Sequence, residues 1–412
     1  MNGNENIIQF GTGAFLRGFA DWGLQLVAER TDFKPSVVVV QSTDRGLCEA
    51  INSTPVYTHV CRGIRDGEPR EESLSVSVLS RCINAASDYD AYLALAELEN
   101  LKYVISNTTE AGICYCPSDR LNVVCRSFPG KLAQLLYRRY LSGAEGVTVL
   151  PCELIEKNGD MLRSIILRYA DEWSLGDGFI TWIKENNRFM NTLVDRIVTG
   201  SDKNAHNPNP LDNASELYFL WVIEGEDIGI PFAEAGLNVI YTSDLEKYRM
   251  RKVRMLNGAH TALVPYALLE GKETVLSAIG DPVLRSHLEG CLSEIKETLG
   301  DLYTEDELSS YTDEVITRFK NPYLKHRCAA IALNSISKFR VRILPSVEEY
   351  VRLNGTPPIS LSMAFAKLIE LYKTAPPQDD PDIISFIRES SLRQILRSEK
   401  LWGRDISDII RL

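Results

Sequence analysis

The sequence has little of what marks a secreted, membrane-spanning or nucleic-acid-binding protein. Its formal net charge is -11 at pH 7, so it lacks the surplus of cations that neutralising phosphates requires. It contains no run of about 18 apolar residues that would span a bilayer. The start, MNGNENIIQFGTG, has no basic segment leading into an apolar stretch, so we expect no signal peptide. We therefore expect a cytoplasmic protein with no nucleic-acid and no membrane partner.

Disulfide pairs and metal ligands are also sparse. The chain has nine Cys, an odd number, and only five His. Scattered cysteines are typical of reduced thiols in the cytosol rather than of a disulfide framework. Cys114 and Cys116 form a C-x-C pair, but no second pair follows at ligand spacing, so we predict no metal site.

What is present is a chain long enough for two domains, with 412 residues of which 44% are hydrophobic and 25% charged. The first half alternates apolar runs with helical patterns. The predicted strands are 6–10, 37–40, 56–62, 74–79, 103–106, 147–150, 218–223 and 237–241. The predicted helices are 14–30, 88–98, 129–140 and 158–173, and 201–213 is predicted as a loop.

After about residue 245 helical patterns dominate, interrupted by prolines. Strand, helix and strand in succession form a right-handed βαβ unit and so begin a parallel sheet. The sequence therefore predicts an α/β protein, with a Rossmann-type N-terminal domain over residues 1–245 and a mostly α-helical C-terminal domain over residues 246–412.

A glycine-rich turn follows the first predicted strand directly. Gly11 permits a sharp turn, Gly13 lets the backbone approach a pyrophosphate, and the following helix adds free N–H groups. The third glycine of the common fingerprint is replaced by Leu16, and the variant G-x-G-x-F-x-R brings a charged side chain, Arg17, able to support the phosphates. A tight turn without a ligand is the alternative. The predicted cofactor residues here are Phe10, Gly11, Thr12, Gly13, Ala14, Phe15 and Arg17.

Two further segments concern the cofactor. The second strand runs into Val40-Gln41-Ser42-Thr43-Asp44, with a displaced acid and no Arg at the tip, which favours NAD over NADP. Asn107, Thr108 and Thr109 follow another strand, where nicotinamide and ribose normally bind in this fold. Glu110 comes next and is predicted to face the substrate.

The segment 247–263, KYRMRKVRMLNGAHTAL, carries a candidate catalytic set. At about 100° per residue, Lys252, Asn257 and His260 lie on one side of a helix. Ketone reduction needs a proton donor beside the oxygen and neutral donors that hold it. Lys252 fits the acid, Asn257 a donor to the oxygen, and His260 a group that orients Lys252 or binds a substrate hydroxyl. A solvated basic helix with an incidental His is the alternative.

These residues resemble a known family. Lys252-x4-Asn257-x2-His260, with the G-x-G-x-F-x-R turn, is similar to the signature of the long-chain polyol dehydrogenases, the mannitol dehydrogenase family. Longer strings resemble its members that act on hexuronates, from about residue 6 to about 400. They are IIQFGTGAFLRGF (7–19), SNTTEAGI (106–113), PCELIEKNGD (151–160), TLVDRIVTG (192–200), LNGAHTALVP (256–265), RFKNPYLKH (318–326) and SKFRVRILP (337–345).

The resemblance implies NAD, no metal, and reversible reduction of D-tagaturonate to D-altronate by NADH. It also implies that Lys252 is the acid/base with Asn257 and His260 as its partners, and family precedent favours a monomer. Reduction of D-fructuronate to D-mannonate is the nearest alternative, and a mannitol or mannitol-phosphate substrate is a more distant one. A non-catalytic NAD-binding regulator is an alternative of another class.

The sequence departs from the mannitol-type pattern in two places. Leu154 replaces an Asn that helps to stabilise the oxyanion, and Asn158 is the predicted substitute. Relatives are also expected to continue by some tens of residues beyond Leu412.

A sugar acid needs cations for its carboxylate, and a bidentate Arg suits it best. The first candidates are Arg318, Lys325 and His326. The second are Lys338, Arg340 and Arg342. A solvated basic face is the alternative.

Overall fold

The computed structural model describes residues 4–43, 45–108, 112–200 and 209–411. Asp44, Thr109 and Glu110, which the sequence analysis names, lie outside these residues. The chain divides into two compact units, one of Met1–Arg62 with Arg70–Leu245, the other of Gly63–Pro69 with Glu246–Leu412. Every helix in the described ranges is too short or too polar to cross a lipid bilayer.

A six-stranded parallel sheet forms the centre of the first unit. In spatial order its strands are Leu79–Asn84, Val37–Gln41, Ile7–Phe10, Tyr103–Ser106, Thr148–Pro151 and Arg188–Phe189. Counted within this sheet, the order is the 3-2-1-4-5-6 of the Rossmann fold. The strand Val37–Gln41 is buried throughout, as its run of four valines predicts for a strand covered on both faces.

Helices cover this sheet and contribute to two apolar cores, one on each face. They are Ala14–Leu16, Trp22–Arg30, Cys48–Ser53, Tyr89–Ala94, Phe128–Leu141, Asn158–Glu172 and Asp177–Glu185, with a 3-10 turn at Leu95–Glu97. A π-helical turn, Arg17–Asp21, interrupts the first helix, which the sequence predicted as continuous over 14–30. All five residues of the turn are buried.

Two smaller sheets lie mainly in the first unit. One has the order Val198–Thr199, Asn213–Glu216, Tyr57–Arg65 and Glu68–Val76, and the other Val239–Thr242, Leu220–Glu224 and Thr192–Asp195. The predicted strand 74–79 was wrong, because the chain passes there from Glu68–Val76 in one sheet to Leu79–Asn84 in another. The strand Thr192–Asp195 and the helix Asp177–Glu185 were missed.

The second unit is helical, which confirms the predicted fold class. Its helices are Leu245–Arg251, Gly258–Leu269, Val275–Ile279, Pro282–Glu297, Glu305–Phe319, Cys328–Ile331, Ser335–Arg342, Leu344–Asn354, Ile359–Thr374, Pro381–Glu389, Leu392–Leu396 and Glu399–Trp402, with a π-turn at Lys252–Asn257. Gly258–Leu269 packs against Pro282–Glu297, Ser335–Arg342 and Ile359–Thr374. Because it is apolar around most of its circumference, it lies at the centre of the unit.

Asn158 joins three separate segments of the first unit. Its Oδ1 accepts from the backbone N–H groups of Gly159 and Thr192, each at 2.9 Å. Its Nδ2 donates to the carbonyls of Pro151, Glu153 and Thr192 at 2.9–3.1 Å. The residue is 1% exposed, and its amide has no capacity left for another ligand. The predicted role of Asn158 in binding substrate was therefore wrong, since the fold itself uses the side chain.

Replacing Asn158 tests this structural role. Asn158→Ala leaves several buried backbone groups without partners, so we expect the free energy of unfolding to fall by about 3 kcal/mol. Urea unfolding measures the change, with the exposed Asn186→Ala as the control. A variant with wild-type stability but a large loss of turnover would restore Asn158 to the substrate-binding set.

Candidate active site

The glycine-rich turn has the geometry that a dinucleotide phosphate needs. Gly11 has a φ of +122°, and a Cβ there would lie 2.9 Å from the backbone oxygen of Asn107, so only glycine fits. Gly13 precedes the first helix and no described side chain caps that helix. Apart from its chain neighbours, no atom of the described residues lies within 4 Å of where a Cβ on Gly13 would be. Within the described part of the chain the helix N-terminus is therefore open, with N–H groups and a positive dipole end for a pyrophosphate.

Arg17 acts on this turn from within the protein. It is 3% exposed, its Nε donates to the Leu211 carbonyl at 3.0 Å, and its Nη1 donates to the Thr12 carbonyl. Burial lowers the pKa of the guanidinium, which stays charged. The sequence predicts that Arg17 supports the phosphates, and its observed contacts are with backbone carbonyls, one of them in the turn, which they hold in shape.

Among the other residues predicted in the turn, two phenylalanines pack against other aromatic rings and Ala14 makes a backbone contact. The Phe10 side chain is fully buried and packs on Phe128 with ring centroids 4.9 Å apart, so only its backbone adjoins the turn. Phe15 is half-buried and stacks on Phe19 at 5.1 Å. The Ala14 carbonyl accepts from the Asn213 amide at 2.9 Å, a polar contact that the sequence did not suggest.

Glu153, which binds the chain where the strand Tyr103–Ser106 ends, was not among the residues predicted from the sequence. It is 2% exposed, and its carboxylate accepts from the Ser106 hydroxyl at 3.0 Å and from both the N–H and the hydroxyl of Thr108 at 2.9 Å. Burial raises the pKa of Glu153, while the Thr108 donors oppose that change. Asn107 donates to the Cys152 carbonyl at 2.7 Å. The position of Glu153 just after a buried strand was the available signal.

A cavity of about 600 Å³ opens where Val37–Gln41 and Leu79–Asn84 end. This is the edge at which a dinucleotide fold holds the ribose of its adenosine. Its lining includes Gln41, Arg45 and Glu49. Arg45 on this wall corrects the prediction that no Arg lies near the tip of the second strand, so that argument for NAD over NADP does not hold.

In the second unit, Lys252 and Asn257 are the first and last residues of a π-turn. In a uniform α-helix these residues would lie about 140° apart around the helix axis. The i→i+5 pattern of a π-turn instead places positions five apart about one turn from each other, on the same face. Both residues are half-buried. The irregular turn therefore brings the two predicted catalytic residues into closer alignment than an α-helix would.

His260 is buried and neutral. Its Nδ1 lies 3.1 Å from the Leu256 carbonyl, so that nitrogen carries the proton and Nε2 is left as an acceptor. Nε2 is buried and has no hydrogen-bond partner among the described residues. Burial, then the nearby His326 and Arg318, hold the pKa of His260 well below its usual value. The imidazole can thus accept a hydrogen bond from a substrate hydroxyl.

The structure brings two of the predicted carboxylate ligands to His260. The His326 ring meets the His260 ring edge-on, with the ring centroids 5.2 Å apart. The Phe319 ring also packs on His260, with the centroids 4.1 Å apart. Arg318 is 8% exposed, and after burial it is the cause of the lowered pKa of His326. Lys325 is not part of this cluster, since it is exposed and lines a separate cavity of about 520 Å³.

Comparison with known proteins assigns the family. The model of the mannitol dehydrogenase Rossmann domain matches residues 5–231, and that of the mannitol dehydrogenase C-terminal domain matches residues 244–408. The chain belongs to the mannitol dehydrogenase family. As a member of that family it is an NAD-dependent oxidoreductase acting on CH–OH groups, as the sequence predicted.

Individual relatives of this mannitol dehydrogenase family member cover nearly its whole length. The altronate oxidoreductase of Bacillus subtilis (strain 168) is 43% identical over 99% of this chain and 90% of its own. That of Yersinia enterocolitica is 41% identical over 99% of this chain and 92% of its own. These matches confirm the resemblance that the sequence strings indicated.

Two solved structures of the mannitol dehydrogenase type share the fold. Substrate-free D-sorbitol dehydrogenase has a TM-score of 0.83 at 22% identity, covering 96% of this chain and 88% of its own. The mannitol 2-dehydrogenase of Pseudomonas fluorescens, solved with NAD and D-mannitol, has a TM-score of 0.71 at 19% identity, covering 99% of this chain and 89% of its own. At these identities the likeness concerns the fold alone.

The open turn at Gly11 can be tested by a small substitution. Gly11→Ala strains a residue at positive φ and sets a methyl group against the Asn107 carbonyl, so we expect the dissociation constant for NADH to rise at least about tenfold. Fluorescence titration with NADH measures it. Gly143→Ala is the matched control, since Gly143 also has a positive φ but a Cβ there would meet no atom within 4 Å among the described residues beyond its chain neighbours. Equal NADH affinity in both variants would contradict the assignment.

Proposed function

We propose that this dehydrogenase reduces D-tagaturonate to D-altronate with NADH, and catalyses the reverse reaction, as a step of hexuronate breakdown. The observation that carries the proposal is the 43% identity to an altronate oxidoreductase over 99% of the chain. The positive surroundings of His260 support it, because a sugar acid brings a negative charge that a neutral polyol lacks.

The proposed chemistry assigns a role to each residue of the π-turn segment. Bound NADH supplies the hydride to the carbonyl carbon. As negative charge grows on the carbonyl oxygen, the Lys252 ammonium gives it a proton, and in the reverse direction the Lys252 amine removes one. The Asn257 amide, on the same face, donates a hydrogen bond to that oxygen. The Nε2 of His260 accepts from a substrate hydroxyl and so orients the carbon that reacts.

The proposed place for the substrate carboxylate is beside Arg318 and His326. Burial lowers the pKa values of His260 and His326, and the charge of Arg318 lowers both of them further. The electrostatic potential around these two rings is therefore positive. A positive potential attracts a carboxylate. A guanidinium can bind its two oxygens at once.

Substrate and cofactor are tested together by the loss of NADH absorbance with purified protein. We expect fast turnover of D-tagaturonate and slow turnover of D-fructuronate, because two relatives with near-complete coverage are altronate oxidoreductases. NADPH replaces NADH in the control. Preference for D-fructuronate would keep the chemistry and replace the substrate. NADH binding without turnover of either would favour the non-catalytic regulator.

The role of Lys252 is tested by removing its amine. Lys252→Ala leaves no proton donor at this position, so we expect turnover to fall by about 10³-fold or more. The dissociation constant for NADH stays at the wild-type value, because Lys252 lies outside the turn at Gly11. The exposed Lys373→Ala is the control. Turnover within about tenfold of wild type would remove Lys252 as the acid.

A further inference from the structure

The start of the helix Gly258–Leu269 lies close to the end of the helix Ser335–Arg342. A Cβ on Gly258 would be 3.4 Å from the Cδ1 of Ile343 and 3.5 Å from the backbone oxygen of Arg342. A Cβ at position 258 would thus be in ordinary van der Waals contact with both atoms, and little room is left there for a longer side chain. Arg342 therefore lies beside the segment that carries Asn257 and His260.

The Arg342 guanidinium reaches this segment directly. Its Nη1 is 3.4 Å from the hydroxyl oxygen of Thr261. That hydroxyl donates to the Asn257 carbonyl at 2.8 Å, so its oxygen is free to accept from the guanidinium. Thr261 is adjacent to His260, and the charge of Arg342 is one of the causes of the lowered pKa of His260. Arg342 is thus positioned over the part of the helix assigned to substrate.

Two guanidinium groups therefore act on one neutral imidazole from different elements. Arg318 comes from the end of Glu305–Phe319, and Arg342 from the end of Ser335–Arg342. The charges of both guanidinium groups lower the pKa of His260, after burial and the neighbouring His326. A region with this potential favours an anion over a neutral ligand.

The other two cations of the same helix point elsewhere. Lys338 donates through Nζ to the Ile331 carbonyl at 2.8 Å. Arg340 is exposed, and its Nη2 lies 2.8 Å from where a Cβ on Gly403 would be. Of the three sequence candidates in this helix, Arg342 is the one that the described contacts bring to Thr261.

We propose that Arg342, together with Arg318, holds the substrate carboxylate, and that Arg342 selects a sugar acid over the neutral ketose of the same configuration. The inference rests on the proposed function and goes beyond it by naming a specificity-determining residue. A guanidinium suits this task because its planar donors match the two carboxylate oxygens, whereas the CH₂OH of a neutral ketose would gain little from a cation.

The test compares two substrates that differ at one end. D-tagatose has a CH₂OH where D-tagaturonate has its carboxylate. For Arg342→Gln we expect kcat/KM to fall about 100-fold for D-tagaturonate, mainly through KM, and to stay within about threefold of wild type for D-tagatose. Arg342→Lys keeps the charge but not the planar fork, so its loss is intermediate. Arg352→Gln, an exposed Arg paired with Glu349, is the control.

Each outcome decides the proposal. Equal losses with both substrates, or no loss with the acid, overturn it. NADH affinity and the unfolding temperature report whether Arg342→Gln folds, and if it does not, the ratio of acid to ketose turnover in Arg342→Lys decides. If wild type reduces D-tagatose too slowly to measure, competitive inhibition by D-altronate replaces that comparison. We then expect the inhibition constant of D-altronate to rise about 100-fold in Arg342→Gln.

Failure of the proposed function gives a different result. If wild type reduces D-fructuronate rather than D-tagaturonate, the same comparison is made between D-fructuronate and D-fructose. A selective loss with the acid then supports the carboxylate subsite although the named substrate is wrong. If wild type reduces neither acid but does reduce the neutral ketoses, both the proposed function and this inference are overturned.

Discussion

The close approach of Gly11 to Asn107 is the constraint on which the cofactor edge of the first unit depends. In a parallel sheet the carboxyl ends of neighbouring strands meet at one edge, so any side chain at Gly11 would push the Asn107 loop away. That loop is in turn tied to the next strand end, through Asn107 to Cys152 and through Thr108 to Glu153. The turn, the loop and the buried carboxylate form one hydrogen-bonded layer beside the open helix N-terminus.

Close packing also shapes the candidate site in the second unit. The backbone of Arg342 lies beside Gly258, and the π-turn just before this helix aligns Lys252 with Asn257. The Nδ1 of His260 binds the backbone, and its Nε2 has no partner among the residues that the structure describes. A buried, neutral imidazole near the two guanidinium groups of Arg318 and Arg342 differs from the solvated basic helix that the sequence left open, because burial holds the ring uncharged.

Much of this was predictable because the signals are local. Runs of apolar residues predicted the central strands. The spacing of Lys252, Asn257 and His260 selected a segment in which the structure shows a π-turn followed by a buried histidine. The predictions that were wrong concern polar residues. Asn158 binds the carbonyls of Pro151, Glu153 and Thr192, of which Thr192 lies 34 residues away in sequence. Lys325 is exposed, although the next residue, His326, packs on His260.

The sequence by itself determined the fold class, the family and the helix that carries the candidate chemistry, because periodicity and motif spacing survive in a linear chain. Only the tertiary structure decided which polar side chains are used by the scaffold and which remain for a ligand. In this structure the Asn158 amide makes hydrogen bonds within the fold, and Arg17 binds backbone carbonyls at its turn. Of three similar cations in one helix, Arg342 is the one that contacts Thr261. The physical reason is that burial and hydrogen-bond satisfaction depend on partners distant in sequence, which local pattern does not encode.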